Sequence, residues 1–254
     1  MYNINMKKIF SKTCVGLAAL ALIVFSLLPF CGCGKPDYMA LINRITLEKM
    51  SANVCIENKC SKFGGYEIFQ GSGVIIARNE YSSGEYLYYY LTNYHVVEKE
   101  AGFTLQEFTV FDYKDNAYSS KPVYSAENFD LALMSFSAEE ELAVIELGES
   151  DMSALGYVFA VGQPHGQHNA VTSGTTLGVA DAPESEGRKL PFNVIMHSAF
   201  ISNGSSGGML LNADLKLIGI NYAGGVDENG DFAYAYAIPV SRVKEFLENS
   251  GVFS

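Results

Sequence analysis

Basic side chains are scarce in this chain of 254 residues: Lys and Arg number 17 against 28 Asp and Glu, giving a net charge of −11. Such a balance supplies no positive stripe to hold nucleic acid and nothing to draw the chain to anionic lipid. Its plain consequence is solubility. Charged residues of both signs reach only 18% while hydrophobic residues reach 48%, which excludes global disorder and allows a sizeable core. Proline is infrequent, and there are no internal repeats or low-complexity tracts. Cysteine is sparse beyond the N-terminus: Cys14, Cys31 and Cys33 lie in or beside the first apolar run, which leaves Cys55 and Cys60. No second Cys or His pair stands at zinc-like spacing, so no metal is expected; no cofactor is expected either. Two states stay open for Cys55 and Cys60, a disulfide closing a short loop or two free thiols.

What is abundant is Gly (24), Tyr (16) and Phe (16). Many glycines and aromatics with few charges suit a chain of strands and turns. The length allows one domain of about 200 residues plus extras.

Residues 1–32 read as an export signal. Lys7 and Lys8 precede an apolar run from Thr13 to Phe30. Phe30-Cys31-Gly32-Cys33 then resembles a bacterial lipoprotein processing site, by which Cys33 would become the lipidated N-terminal residue. An uncleaved membrane anchor and plain secretion are the alternatives. All three put the rest of the chain outside the cytoplasm, and the first two attach it to the membrane, as a lipoprotein at the outer face or as an anchored protein. Residues 33–47 form a tether and the start of a short amphipathic helix, with Leu41, Ile42, Ile45, Leu47 and Met50 at helical spacing.

From about residue 48 onward the chain reads as short strands between turns. Candidates cover 54–57, 66–70, 72–77, 86–93, 104–113, 119–125, 131–136, 157–162, 170–179, 193–197, 208–211, 217–222 and 233–238. Pro239 can open a closing helix over about 240–250, with Val243, Phe246 and Leu247 on its buried face. The pattern is that of a sandwich or barrel.

Three segments carry chemistry. Gly71-Ser72-Gly73 and Leu91-Thr92-Asn93-Tyr94-His95-Val96-Val97 form the first. Asp130-Leu131-Ala132-Leu133 is the second, and Gly204-Ser205-Ser206-Gly207-Gly208 the third. Glycines around Ser206 let the backbone turn sharply, and the N–H groups of Gly204 and Ser206 can aim at one spot as an oxyanion hole. A serine hydroxyl needs a base to attack, imidazole suits neutral pH, and a carboxylate must hold the imidazole in the right tautomer. Taken singly, each segment is an ordinary turn or strand end. Together, in the order His95, Asp130, Ser206, they follow the chain order of chymotrypsin-like enzymes rather than that of subtilisins or α/β-hydrolases.

The resemblance goes further. Over about residues 50–250 the chain is similar to the protease domain of the HtrA (Deg) family of trypsin-like serine proteases. The matching motifs are Gly71–Gly73, Leu91–Val97, Asp130–Leu133, Gly162–Gly166, Val171–Gly174, Leu217–Asn221 and Ala237–Val240. The resemblance implies an all-β fold of two packed antiparallel six-stranded barrels, chymotrypsin-like, with the active site in the cleft between them and a short C-terminal helix. Barrel one would span about 53–145 and barrel two about 150–238, within a protease domain of 48–254. It implies a serine endopeptidase acting on unfolded or exposed polypeptide segments in the cell envelope, with His95, Asp130 and Ser206 as triad. The strand Asn221-Tyr222-Ala223 would pair with substrate backbone, and Phe200 and Ile201 would favour a small or medium apolar residue before the scissile bond. Many family members trimerise, so the resemblance leaves a homotrimer open without assigning its contacts, and no PDZ module is expected after the protease domain. Ser205 stands where the family usually has Asn, and Ser198 where it commonly has Asp. The alternative function is a pseudoprotease that binds peptide in the same cleft without cutting it.

Overall fold

The first strand, β1 (Asn53–Lys62), shows how patterning becomes architecture. Successive side chains of a strand point to opposite faces. Val54, Ile56, Asn58 and Cys60 face inward and are buried, while Glu57, Lys59 and Ser61 face outward. The computed structural model describes residues 37–81, 83–99, 101–149, 156–185 and 187–253. The export signal and Cys33 lie outside the described residues. Among the described residues no helix is long and apolar enough to cross a membrane.

Helix α1 (Tyr38–Arg44) starts at Asp37, whose carboxylate accepts the Ala40 N–H at 3.1 Å, and runs through a wider turn and a tight turn into β1. Barrel one contains β1, β2 (Gly65–Glu80), β3 (Tyr86–Thr92), β4 (Leu105–Phe111), β5 (Ala117–Ala126) and β6 (Leu131–Ala138). Its antiparallel order is β1-β2-β3-β6-β5-β4, closed by β4 against β1. The single turn α2 (Tyr94–Val97) follows β3. Barrel two contains β7 (Tyr157–Gly162), β8 (Ala170–Asp181), β11 (Asn193–His197), β12 (Met209–Asn212), β13 (Leu217–Val226) and β14 (Phe232–Pro239). It closes in the order β11-β14-β13-β12-β7-β8, by β8 against β11. The fold is the expected one of two six-stranded antiparallel barrels. Helix α3 (Val240–Ser250) follows β14 and turns its Phe246 ring against Tyr124 of β5 at 5.1 Å and Phe129 at 6.1 Å. The closing helix of the second barrel therefore buttresses the segment just before Asp130.

Two features differ from expectation, and a third decides between states the sequence left open. Residues 66–77 form no pair of strands but one continuous β2, bulged between Ile75 and Ala77. Gly71 does not break it; a Cβ there would come within 2.6 Å of the Val96 side chain, so the glycine lets α2 approach. A two-residue hairpin, β9 (Glu184–Ser185) and β10 (Arg188–Lys189), sits in a stretch too short and polar to read as strands. The disulfide open to Cys55 and Cys60 does not form, and both are free buried thiols. They stand five residues apart on one extended strand, on opposite faces. That separates them by about 16 Å, far beyond the roughly 7 Å a disulfide tolerates between Cα atoms.

Candidate active site

Asn93 leaves β3 in an extended conformation, and the chain then makes the one turn of α2. A single turn cannot satisfy its own terminal carbonyls. Here the buried Asn58 side chain donates to the Val96 and Glu98 carbonyls at 3.0 and 2.9 Å. Gln106 of β4 donates to the Val97 carbonyl at 2.8 Å and to Asn58 Oδ1 at 3.0 Å. Barrel one thereby clamps the turn that carries His95.

Asp130 follows the short turn Glu127–Phe129 with φ 49° and ψ 41°. Asp reaches this left-handed region more readily than most residues. The backbone N–H of His95 donates to Asp130 Oδ1 at 3.0 Å, and His95 Nδ1 lies 2.9 Å from Oδ2 and 3.1 Å from Oδ1. Asn93 Nδ2 donates to the Asp130 carbonyl at 3.0 Å. A carboxylate accepts, so this contact suits the imidazole tautomer that carries its proton on Nδ1 and a lone pair on Nε2.

Ser206 stands after a four-residue turn closed by the Ser205 N–H on the Ser202 carbonyl at 2.9 Å. Gly204, third in that turn, has φ +92°, the signature of type II. The Asn203 carbonyl is held by the His165 N–H at 2.8 Å. A trans peptide is planar, so the Gly204 N–H points the opposite way, off the 163–166 loop. On the other flank Gly207 (φ +85°) donates its N–H to the Asn221 carbonyl at 2.9 Å. From barrel one, Ser72 donates its N–H to the Ser206 carbonyl and its hydroxyl to the Gly204 carbonyl, each at 2.7 Å. Both barrels thus hold the turn. The 163–169 loop is itself tied to barrel one: Asn169 Nδ2 donates to the Tyr113 carbonyl at 2.9 Å, and His168 meets Asp115.

His95, Gly204 and Ser206 line one open cleft of about 550 Å³, with Ile68, Phe69, Gln70 and Gly71 of β2 along one wall. Asp130 is bonded to His95 and buried. Among the described residues the imidazole's hydrogen bonds run to Asp130 and none reaches Ser206. Contacts of this kind are often long in empty sites and tighten around substrate. An imidazole bonded to a carboxylate and an alcohol lining the same cleft suit acyl transfer.

The remaining expected residues fall elsewhere. Phe200, Ile201 and Asn221 line a separate cavity of only about 10 Å³. Phe200 is 40% exposed, its ring edge-on to Phe232 at 5.0 Å. The Asn221 side chain is buried, bonded to His197 Nε2 at 3.1 Å and to the Met209 carbonyl at 3.2 Å. Burial pushes the His197 imidazole down to about 4, so it is neutral and donates Nε2–H to Asn221 Oδ1. Tyr222 is buried, its hydroxyl without a partner among the described residues, and burial followed by the charge of Asp130 raises its pKa. Ala223 is partly exposed. Pairing of β12 with β13 ends at Ile220, so on that side the backbone from Tyr222 to Val226 has no strand partner among the described residues. Asn58 and Gln106 escaped the sequence reading, while Ser72 and Asn93 stood in its motifs without a role assigned to them. Asn58 did leave a signal, a polar residue on the inward face of an alternating strand. Among the described residues no three His, Cys, Asp or Glu side chains converge as a metal site requires.

Two closed barrels with this cleft define a chymotrypsin-like serine-protease domain. Residues 71–220 match the family model described as "Trypsin-like peptidase domain", and the chain belongs to that family. It is 31% identical over 180 residues to the "Probable periplasmic serine endoprotease DegP-like" of Rickettsia prowazekii, covering 70% of this chain and 33% of the relative. To the "Periplasmic serine endoprotease DegP" of Salmonella typhimurium it is 33% identical over 177 residues, 68% of this chain and 34% of that one. The protein of the same name from Escherichia coli is 32% identical over 176 residues, with the same shares. The chain spans about a third of the length of the curated relatives it matches.

Proposed function

We propose that this chain is an exported serine endopeptidase that cuts unfolded or exposed polypeptide segments in quality control or processing of cell-envelope proteins, with Ser206 as nucleophile, His95 as general base and Asp130 as its orienting carboxylate. The observation that carries the reading is the 2.9 Å contact of His95 Nδ1 with Asp130 Oδ2, made by an imidazole that lines the same cleft as Ser206. His95 Nε2 takes the Ser206 proton as Oγ attacks the scissile carbonyl carbon, and the carbonyl oxygen becomes an oxyanion facing the N–H groups of Gly204 and Ser206. The imidazolium, steadied by Asp130, returns the proton to the leaving amine. Water then repeats the cycle on the acyl-enzyme and frees Ser206.

Substrate backbone adds as a strand to the unpaired side of Tyr222–Val226, an interaction that gives affinity with little choice of sequence. This suits unfolded or exposed segments. The apolar side chains of the half-exposed Phe200 and the buried Ile201 favour a small or medium apolar residue before the scissile bond. Relatives named periplasmic support export. Attachment through a lipid on Cys33 is tested by labelling cells with an alkynyl fatty acid, and a homotrimer by sedimentation.

A fluorophosphonate probe tests the chemistry. The full chain labels at Ser206, Ser206→Ala does not, and His95→Ala labels far more slowly. If the chain neither labels nor digests a denatured protein, it is a peptide-binding module using the same cleft.

A further inference from the structure

Strand β2 passes the nucleophile and keeps going. Ser72 donates its N–H to the Ser206 carbonyl at 2.7 Å, and Ile68, Phe69 and Gln70 form the adjoining wall of the cleft. Beyond Ile68 the strand runs outward to Gly65, where the hairpin turns back into β1. Registers define the outer face of this part of barrel one. Gln70 lies opposite Glu57, Ile68 opposite Lys59 and Tyr66 opposite Ser61. Across β1, Lys59 is opposite Glu107 and Ser61 opposite Leu105. Ile68, Tyr66 and Leu105 therefore share one face. They are 46%, 62% and 66% exposed, an apolar row that begins in the cleft and leads away from it. Lys59 is paired with Glu107 at 3.4 Å and lies over the Tyr66 ring at 5.1 Å, so the cation beside the row has an acidic partner and an aromatic face.

We infer that this face is a second substrate-binding surface, taking apolar side chains on the leaving-group side of the scissile bond. The inference rests on the endopeptidase reading for its direction: substrate paired with β13 before the scissile bond crosses Ser206 and leaves over β2. Strands rise about 3.3 Å per residue, so Ile68 and Tyr66 lie roughly 13 and 20 Å beyond Ser72 along β2. An extended substrate advances at the same rate, which puts its residues about four and six positions after the cut beside those two side chains. Both positions are even, so both side chains point to one face. The preferred substrate is thus a polypeptide segment with apolar residues at about those two positions. Continuity with the cleft singles out substrate over another occupant. The interspersed Glu57, Lys59 and Glu107, in an acidic chain, suit neither a lipid surface nor a wide dry interface.

The test uses two peptides identical through the scissile bond and two residues past it. One continues with Leu at the fourth and sixth positions, the other with Ser. The full chain is expected to cleave the Leu peptide with about tenfold higher kcat/KM, mainly through KM, as burial of two partly covered apolar side chains provides. In Tyr66→Ser/Leu105→Ser that ratio falls at least threefold. Anisotropy binding to Ser206→Ala measures the same preference without turnover, so a failure of catalysis is told apart from a failure of this surface. Equal binding of the two peptides, or an undiminished ratio in the double variant, overturns the inference. So does a double variant that changes the sedimenting mass of the chain, which would make the face an interface between copies.

Discussion

Substituting Gly204 by Ala perturbs the turn before Ser206 at its tightest point. A Cβ there would stand 2.4 Å from the Gln163 carbonyl oxygen, and the backbone holds φ +92°. The left-handed conformation alone costs an L-residue about 1–2 kcal/mol, and the clash is with backbone, which cannot swing aside like a side-chain tip. The cheapest relief is to turn the Asn203–Gly204 peptide over. That breaks the 2.8 Å bond from His165 to the Asn203 carbonyl and points that carbonyl, rather than the residue-204 N–H, toward the cleft. Loss of one oxyanion donor typically lowers kcat by about 10²–10³. The expected result for Gly204→Ala is therefore a kcat reduced about 10²–10³-fold with KM changed little, because the donor acts on the transition state. The cost to stability, about 1–3 kcal/mol for a strained position, lowers Tm by about 2–12 °C in a domain of this size. The assay is steady-state kinetics on a quenched peptide, with a thermal melt to show that the chain is folded. A folded Gly204→Ala variant with kcat within threefold of the parent would refute the assignment of this turn.

Asp130→Asn should keep the fold but favour the wrong imidazole tautomer, lowering kcat by about 10⁴-fold with little change in KM; a loss under tenfold would argue that Asp130 serves the backbone of α2 alone. The His197 pKa of about 4 in the folded chain lies below its usual 6.5. As pH falls below 6.5 the unfolded chain takes up this proton and the folded chain does not, so stability drops until about pH 4. The loss between pH 7 and 5 is about 2 kcal/mol, read as a fall in urea unfolding free energy whose pH slope is shallower in His197→Gln; parallel slopes would refute it. Cys55 and Cys60 should both resist iodoacetamide in the native chain and both react in denaturant without reductant, since each is a buried free thiol. Protection in denaturant would mean a bridge.

The strands and the segments around His95, Asp130 and Ser206 were legible in the sequence because each depends on short-range information, whereas the pair of barrels was an expectation drawn from the family resemblance. Alternation along Val54–Cys60 or Leu131–Phe136 states which face is buried, and Gly204-Ser205-Ser206-Gly207-Gly208 states that the backbone turns where a hydroxyl is offered. Chain order then narrowed the architecture. Other features depend on register and on approach between distant segments, which no window of sequence contains. A spacing of five residues between Cys55 and Cys60 fits a closed loop as well as one straight strand. Only pairing of β1 with β2 and β4 draws it straight and sends the two thiols to opposite faces. Gly71 reads as a break until the side chain of Val96 is found where a Cβ would go. Asn58 becomes a clamp for the His95 turn only after barrel closure carries α2 over it. The apolar row of Tyr66, Ile68 and Leu105 exists only because β4 returns beside β1 in one particular register. Local patterning therefore determined which residues form strands and which segments offer a serine, an imidazole and a carboxylate, and long-range packing decided what each of them faces.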